Sequence, residues 1–280
     1  MDEVIRESTE QLNEELRIIE KWEKAQKGLW FWEKIGRIPF KLLDKFTPAF
    51  IQKKLGVLLD ELGSFVQTGG QYLTKEKHVL HKMQIQMPDA VFTSISDIQN
   101  VPLSVMKSVS DNLNDSSKQL AAIQGASTGI GGIFTLAVDI PILLGLSLKT
   151  IQDTAIAYGY NPKMKKERIF IVKCMQFATA DTVGKEAILN ELSSYSDARE
   201  SQTMMSQLQG WREVIYTYRD QYGWKKLLQM VPVAGMIFGA FTNRSMIADI
   251  GETAGMLYRK RRIMERLAEK QSHITDAAGE

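Results

Sequence analysis

The most restrictive feature of this sequence is an apolar block from residue 120 to residue 160, in which glycines recur at short intervals and Asp139 lies near the centre. Small residues allow helix backbones to approach closely, and a carboxylate in apolar surroundings needs a partner. The block therefore predicts helices that pack tightly together or enter a lipid bilayer. It indicates architecture and location, and it specifies no reaction.

The length and composition of the chain favour one large domain. Its 280 residues lie just above the size at which a single hydrophobic core stops growing, and a hydrophobic content of 44% is ordinary for a globular protein. The slightly negative mean hydropathy argues against several conventional membrane spans. Because the net charge is only +2, any electrostatic argument depends on where the charges lie.

Helical periodicity extends through nearly every segment, and β-branched alternation typical of strands is missing. We therefore predict an all-α, multi-helix bundle with two glycine-rich apolar helical hairpins. Within it, the polar stretch of residues 63–115 is expected to form short helices and loops. The predicted organisation is an N-terminal helix and basic segment over residues 1–62, a helical core over residues 63–270 and a disordered tail over residues 271–280.

Two features bear on the cellular compartment. The single cysteine, Cys174, cannot form an intrachain disulfide, and its apolar helical surroundings predict a buried, inert thiol. The N-terminal segment is acidic and polar, whereas a secretory signal peptide is basic and then apolar. Both features favour a cytoplasmic protein.

A basic and aromatic segment occupies residues 21–54, where Lys and Arg outnumber Asp and Glu. Its apolar and basic residues fall on opposite helical faces, which is typical of a helix that lies on an anionic membrane surface. The same apolar stripe could instead pack on the protein's own core, and Pro39 and Pro48 divide the segment. No nucleic-acid-binding motif accompanies the charges, so nucleic acid is not an expected partner. The predicted membrane contacts in this segment are Lys34, Arg37, Lys41, Lys45, Trp30 and Trp32.

The sequence GASTGIG overlaps two catalytic motifs. It is similar to the phosphate-binding turn of short-chain dehydrogenases, and Gly125, Ser127 and Gly129 also match the nucleophile elbow of α/β-hydrolases. Both motifs follow a β-strand, whereas the residues before Gly125 have a helical pattern. His78 and His81 have a spacing that metal sites use, but no third ligand is evident. We therefore predict no catalytic residue, no cofactor and no metal site.

The apolar run over residues 129–148 is about as long as a membrane-spanning helix, but Asp139 and Pro141 interrupt it. A helical hairpin that breaks near Asp139 accounts for both residues. Asp139 would then cap the second helix, and Pro141 would lie in or near its first turn. The glycines of this region that are predicted to pack between helices are Gly125, Gly129 and Gly132.

A second glycine-rich block covers residues 230–258, in which Gly235 and Gly239 share one helix face. We expect the two blocks to pack against each other. Asn243 and Asp249 are expected to be buried polar or capping residues. A basic helix end follows the block and is predicted to reach lipid phosphates through Arg259, Lys260, Arg261 and Arg262.

Several stretches together resemble the EcsC family of bacteria. They are GASTGIGG, the acid and proline of VDIP, LSLKTIQDTAIAYGYNP followed by Glu167 and Arg168, PFKLLDKFTPAFIQKKL, VPVAGMIFGAFTN and YRKRR. The resemblance covers almost the whole chain. It implies a helical, membrane-associated protein with an ABC transporter as a partner, because the founding member is encoded beside the subunits of such a transporter. The resemblance implies no catalytic residues.

The sequence as a whole predicts a cytoplasmic accessory protein that associates peripherally with the inner face of the cell membrane. Its expected partners are an anionic membrane surface and, through the resemblance, ABC transporter subunits. The alternative is a lipid-handling enzyme or hydrolase that uses Ser127 or Asp139. An enzyme would present a polar cleft at those residues, whereas an accessory protein would use them to cap or pack helices.

Overall fold

The architecture is that of a computed structural model, which describes residues 7–26, 74–128, 136–180, 182–193 and 232–278. These ranges form seven α-helices and one short 3₁₀ helix, and they contain no β-strand. The prediction of an all-α bundle is therefore confirmed. The helices are α1 Thr9–Gln26, α2 Glu76–Gln86, the 3₁₀ helix Ile95–Asn100, α3 Leu103–Thr128, α4 Leu136–Ala157, α5 Lys165–Thr179, α6 Thr182–Ser193 and α7 Pro232–Ala278.

Helix α7 organises the bundle. It has 47 residues, which corresponds to a length of about 70 Å. It packs most extensively on α3 and also contacts α4, α5 and α1, while α2 covers α3 and α4 and α6 packs on α5. Leu12 and Ile19 of α1 join the same buried cluster as Ile151 of α4 and Ile247 of α7. The N-terminal helix is therefore part of the core, and the predicted boundary at residue 62 lies outside the described residues.

The interface of α3 with its neighbours is lined by small and polar side chains. Its buried positions recur every three or four residues, first as Leu103, Met106 and Val109 and then as smaller residues. Residues 103–115 of the stretch that we expected to form short helices and loops therefore belong to one long helix, whereas residues 74–102 do form the short α2, the 3₁₀ helix and connecting loops. The smaller buried residues of α3 are Ser110, Asn114, Ser117, Ala121 and Gly125.

Hydrogen bonds inside this seam join α3 to both α4 and α7. The Asn114 amide donates to the Gly251 carbonyl oxygen at 3.2 Å. The Thr154 hydroxyl lies 3.5 Å from the Asn114 carboxamide oxygen, and the Ser110 hydroxyl lies 3.5 Å from the Thr154 hydroxyl. Buried polar groups that find such partners avoid the free-energy penalty of desolvation. Small polar residues therefore permit close helix packing without leaving unsatisfied groups.

The closest helix contact joins Gly125 of α3 to Gly239 of α7. A Cβ atom built on Gly125 would overlap the carbonyl group of Gly239 and would lie 2.8 Å from the Asn243 amide nitrogen. The two glycine-rich blocks thus meet where both residues lack a side chain. Gly235 lies in the first turn of α7, whereas Gly129 and Gly132 lie outside the described residues.

Helix α4 begins earlier than the sequence suggested. It starts at Leu136, so Asp139 lies within its first turn and is not the capping residue. The helix also continues through Pro141. An acidic residue in a first turn interacts favourably with the helix dipole. The side chain of Asp139 itself lies outside the described part of the structure.

Helix α7 ends later than expected. The sequence RKRR was predicted to end a helix and residues 271–280 to form a disordered tail, but α7 continues to Ala278. The basic residues of RKRR therefore lie in the interior of a helix and not at its C-terminus. Their partners within the bundle explain their position.

The glycine contact predicts opposite effects for two Gly→Ala changes. Gly125→Ala should lower the free energy of unfolding by about 1 to 3 kcal/mol, because the new methyl group overlaps backbone that cannot move freely. Gly255→Ala, on α7, places its Cβ where nothing lies within 4 Å, and should raise stability by about 0.5 to 1 kcal/mol through helix propensity. Denaturant unfolding of both variants measures the difference. A Gly125→Ala variant as stable as Gly255→Ala would contradict the close contact.

Candidate functional site

The residues of the two overlapping catalytic motifs lie within a helix. Gly125 and Ser127 belong to α3, and no described strand precedes them. The Ser127 hydroxyl donates to the carbonyl oxygens of Ile123 and Gln124, both at 2.9 Å. A nucleophile elbow or nucleotide-binding turn would require a strand and then a tight turn at this point. Neither motif is formed.

The cysteine and two of the histidines were the other candidates for a reactive or metal-binding site. Cys174 of α5 is buried, and burial followed by the nearby Glu167 carboxylate raises the pKa of its thiol well above the ordinary value. His78 and His81 are exposed on α2. Within the described ranges, no three residues able to ligate a metal lie together.

Five basic side chains of α7 instead form a cluster inside the bundle, which we call the α7 basic cluster. Arg259, Arg262 and Arg266 are buried, while Lys260 and Arg261 are partly buried. Burying a cation without a partner is strongly unfavourable, so each needs a carboxylate or a carbonyl oxygen nearby. The members of the cluster are Arg259, Lys260, Arg261, Arg262 and Arg266.

At the centre of the cluster, Arg261 binds Glu167 of α5. The Arg261 guanidinium donates to both carboxylate oxygens at 3.0 and 3.1 Å, and the Tyr258 hydroxyl donates to the same carboxylate at 2.8 Å. The guanidinium also lies 4.1 Å from the ring centre of Tyr160 and 5.0 Å from that of Phe170. A single guanidinium nitrogen, Nη1, makes both contacts with the carboxylate, and the flat face of the guanidinium suits the ring contacts.

The electrostatic state of this pair reflects competition between burial and charge. Burial raises the pKa of Glu167 above its ordinary value, although Arg261 and the Tyr258 hydroxyl act in the opposite direction. Burial acts to lower the pKa of Arg261, but the Glu167 carboxylate and neighbouring groups raise it on balance. Arg261 therefore stays charged. Its positive charge stabilises the ionised form of Glu167 against the effect of burial.

Two other members of the cluster bind backbone carbonyl groups. Arg262 donates to the Tyr158 carbonyl oxygen at 2.7 and 3.1 Å. Arg266 donates to the carbonyl oxygens of Gln99 at 3.0 Å and Val101 at 2.7 Å. The end of α4 and the end of the 3₁₀ helix are thereby held against α7.

The acidic side chains of the N-terminal region attach α1 to α7. The two helices run antiparallel, because the contacts of Glu7, Glu15 and Trp22 fall at successively lower positions, Arg266, Arg259 and Glu252. The contacts are Glu7 with Arg266, Glu15 with Arg259, Glu23 with Lys260 at 2.7 Å, and the Trp22 indole nitrogen with Glu252 at 2.8 Å.

The prediction that Arg259, Lys260, Arg261 and Arg262 form a lipid-binding surface is therefore wrong. Their side chains lie inside the bundle and are paired with Glu15, Glu23, Glu167 and a backbone carbonyl. A cation that already has a buried partner cannot also reach a lipid phosphate without leaving that partner unpaired. The cluster is a structural site.

At the opposite end of the bundle, three stretches of the described helices carry a single charged residue among them. Helix α3 carries no charged residue over residues 119–128, α7 carries none over residues 232–243, and α4 carries only Asp139 over residues 136–148. The Gly125 contact with Gly239, and the contacts of Thr154 with α3, bring these three stretches to the same end. We call them the uncharged end.

Large apolar side chains are exposed to solvent at the uncharged end. Soluble proteins rarely expose such residues as a group, and groups of this kind mark surfaces that bind protein or lipid. Two helices that flank the glycine contact contribute most of them, and α4 adds one. The exposed fractions are 53% for Leu120, 68% for Ile123, 46% for Ile142, 69% for Ile237 and 71% for Phe241.

Two predicted polar residues of α7 have different environments. Asn243 is fully buried, and its amide nitrogen lies 3.5 Å from the Gln124 side-chain oxygen. Asp249 is exposed, so the prediction of a buried residue is wrong there.

Among the described helices, none is both long and apolar enough to cross a membrane. The predicted membrane contacts Lys34, Arg37, Lys41, Lys45, Trp30 and Trp32 lie outside the described residues.

Comparison with known proteins identifies the family. Residues 13–263 match the model of the EcsC protein family. The chain belongs to the EcsC family. The uncharacterized protein YdbA of Bacillus subtilis strain 168 is 58% identical over 268 residues, which cover 96% of this chain and 98% of YdbA. Protein EcsC of the same strain is 28% identical over 179 residues, which cover 64% of this chain and 73% of that protein. No solved structure matches the chain.

Sequence reasoning missed the partners of the α7 basic cluster in this EcsC-family chain. Glu167 was visible as part of a family stretch, and YRKRR as part of another. These two stretches could have indicated the ion pair, since a buried basic helix needs an acidic partner and Glu167 is one. Glu15 and Glu23 resemble ordinary surface residues of an amphipathic helix, and nothing in their spacing pointed to α7.

The raised pKa of Glu167 predicts a specific dependence of stability on pH. Since the folded protein binds this proton more tightly than the unfolded chain, the contribution of Glu167 is fully present below its ordinary pKa of 4.5. It declines as pH rises through the folded-state pKa. The free energy of unfolding of the parent minus that of Glu167→Gln should therefore fall as pH rises above 4.5.

Urea unfolding at several pH values measures this difference. Glu14→Gln, which removes an exposed carboxylate paired with Arg17, is the control for loss of a surface carboxyl group. A difference that grew with pH would mean that the Arg261 charge outweighs burial and would contradict the expected sign.

Ser127→Ala should be almost silent. In the part of the chain that the structure describes, the hydroxyl donates to carbonyl groups of its own helix turn, and alanine suits a helix at least as well, so the free energy of unfolding should change by less than about 0.5 kcal/mol. Thermal unfolding and labelling with a fluorophosphonate probe check this expectation. Labelling of the parent that disappears in Ser127→Ala would instead support a serine hydrolase.

Proposed function

We propose that this EcsC-family protein is a helical accessory protein that binds peripherally to the inner face of the cell membrane. The observation that carries the proposal is the group of exposed apolar side chains at the uncharged end. Removing such side chains from water is favourable, by about 25 cal/mol for each Å² of apolar surface. A lipid bilayer offers that environment without a specific protein partner.

The basic and aromatic segment of residues 21–54 supports the same function. It begins within α1, whose acidic residues Glu15 and Glu23 are bound to α7. Lys21 and Lys24 of α1 are exposed. Basic residues near an anionic leaflet contribute about 1 kcal/mol each to binding. Residues 27–54 lie outside the described residues, so their contribution is proposed on sequence alone.

The surroundings of Ser127 favour an accessory role over a hydrolase or lipid-handling enzyme. Its hydroxyl donates to its own helix, and general-base activation would need a histidine or similar group within hydrogen-bond reach. The family resemblance makes ABC transporter subunits the protein partners to test, by co-purification with the transporter.

Vesicle flotation tests membrane binding. The protein should float with vesicles of phosphatidylcholine and phosphatidylglycerol. The double change Ile123→Ser and Phe241→Ser should weaken flotation at least tenfold, because burying each large apolar side chain contributes about 1.5 to 3 kcal/mol. Both residues are exposed, so the fold should not suffer.

The matched control removes two equally exposed apolar residues elsewhere. Ile85 is 62% exposed and Val91 is 77% exposed, and neither belongs to the uncharged end. The change Ile85→Ser with Val91→Ser should leave flotation unchanged. Equal loss in both double variants would show that general surface hydrophobicity causes the binding, and absence of flotation in the parent would end the proposal.

A further inference from the structure

We propose that the uncharged end inserts into one leaflet of the membrane, and that Lys118 and Arg244 bind the phosphate groups of anionic phospholipids at its edge. This inference rests on the proposed function and specifies which surface enters the lipid, how deeply and with which headgroups.

The depth follows from the length of the charge-free stretches. Residues 119–128, 136–148 and 232–243 comprise ten to thirteen helical residues each, which corresponds to about 15 to 20 Å along a helix axis. The hydrocarbon core of a bilayer is about 30 Å thick, so one leaflet provides about 15 Å. Three packed helix ends of this length match a single leaflet.

The charged residues that border these stretches are basic on all three helices. Moving away from the uncharged end, the first charged residue is Lys118 on α3 and Arg244 on α7, and beyond Asp139 it is Lys149 on α4. Basic residues at such a border suit anionic headgroups, because their long side chains keep the apolar part in lipid and the charge at the phosphate level.

The helix register places these residues at a common height. Gly125 and Gly239 are in contact. Lys118 lies seven residues before Gly125 and Arg244 lies five residues after Gly239, in both cases on the side away from the uncharged end. These separations correspond to about 10 and 8 Å, which differ by less than one helical turn. Lys149 is five residues before Thr154, which contacts Ser110 of α3, so it lies near the same level.

The three basic residues differ in their freedom to bind lipid. Arg244 is exposed. Lys118, whose side chain is 25% exposed, pairs with Asp115, whose side chain is 63% exposed, and a pair with a solvent-exposed acid contributes little free energy and can exchange for another anion. Lys149 pairs with Asp153, which is buried and also accepts a hydrogen bond from Thr74 at 2.9 Å. We therefore assign headgroup binding to Lys118 and Arg244 and leave Lys149 with its structural role.

Asp139 opposes insertion, since it is the one charged residue in these stretches.

Depth-dependent quenching tests the inserted surface. Cys174 is the single cysteine and is buried, so a fluorescent maleimide can be attached to Ile123→Cys or Phe241→Cys in a Cys174→Ala background, with circular dichroism as the check on folding. Bound to phosphatidylglycerol-containing vesicles, both probes should be quenched by spin labels on the lipid acyl chains more strongly than by a headgroup label. A probe at Ile85→Cys should be quenched by neither.

The headgroup arm uses charge reversal at Lys118 of α3 and Arg244 of α7. Lys118→Glu and Arg244→Glu should each lower affinity for phosphatidylglycerol vesicles at least roughly fivefold, the factor associated with one basic residue near an anionic surface. Lys107→Glu is the control on α3, because Lys107 also pairs with an aspartate of its own helix, Asp111, but lies further from the uncharged end. Vesicles of phosphatidylcholine alone should not distinguish the three variants.

Each outcome decides between specific alternatives. If the parent floats but the probes at residues 123 and 241 are not quenched by acyl-chain labels, binding occurs through another surface, and the inference fails while the proposed function stands. If those probes are shielded only in a dimer seen by size-exclusion chromatography, the uncharged end is a protein interface and the inference is wrong. If the parent does not float, both the inference and the proposed function fail.

Discussion

Neutralisation of the α7 basic cluster is the interaction on which most of the arrangement depends. Helix α7 cannot bury Arg259, Arg262 and Arg266 unless other elements supply carboxylates or carbonyl oxygens. Their partners come from the N-terminal region, from the end of α4 and from the 3₁₀ helix, and α5 supplies the carboxylate that pairs with the neighbouring Arg261. One segment of α7 thereby sets the positions of elements far apart in the sequence.

A different kind of contact holds the other half of α7. There the helices meet through Gly125, Gly239 and Gly251, together with short polar side chains that are hydrogen-bonded across the seam. Close backbone approach replaces the ionic contacts, because small residues remove steric obstacles and expose little polar surface. The helices of the bundle are therefore joined by ion pairs at one end, and are apolar and tightly packed at the other. This asymmetry supports the proposed oriented interaction with a membrane surface.

Helix content and the close glycine contact were accessible from the sequence, since both depend on local spacing. The long α3 was not, because Ser110, Asn114 and Ser117 continue its buried face without being hydrophobic, and a hydrophobic pattern cannot detect polar residues that are buried in pairs. The start of α4 was misplaced because Asp139 with Pro141 has the sequence of a capped helix start, although the helix begins a turn earlier.

The basic cluster shows a more general limit. A run of four basic residues in a helix has the same sequence whether it faces lipid phosphate or buried carboxylates, and the deciding partners, Glu15 and Glu167, lie far away along the chain. Their pairing also changes the surface electrostatics. Because Glu15 and Glu23 are engaged by α7, their carboxylates are held in the bundle, whereas Lys21 and Lys24 of the same helix are exposed.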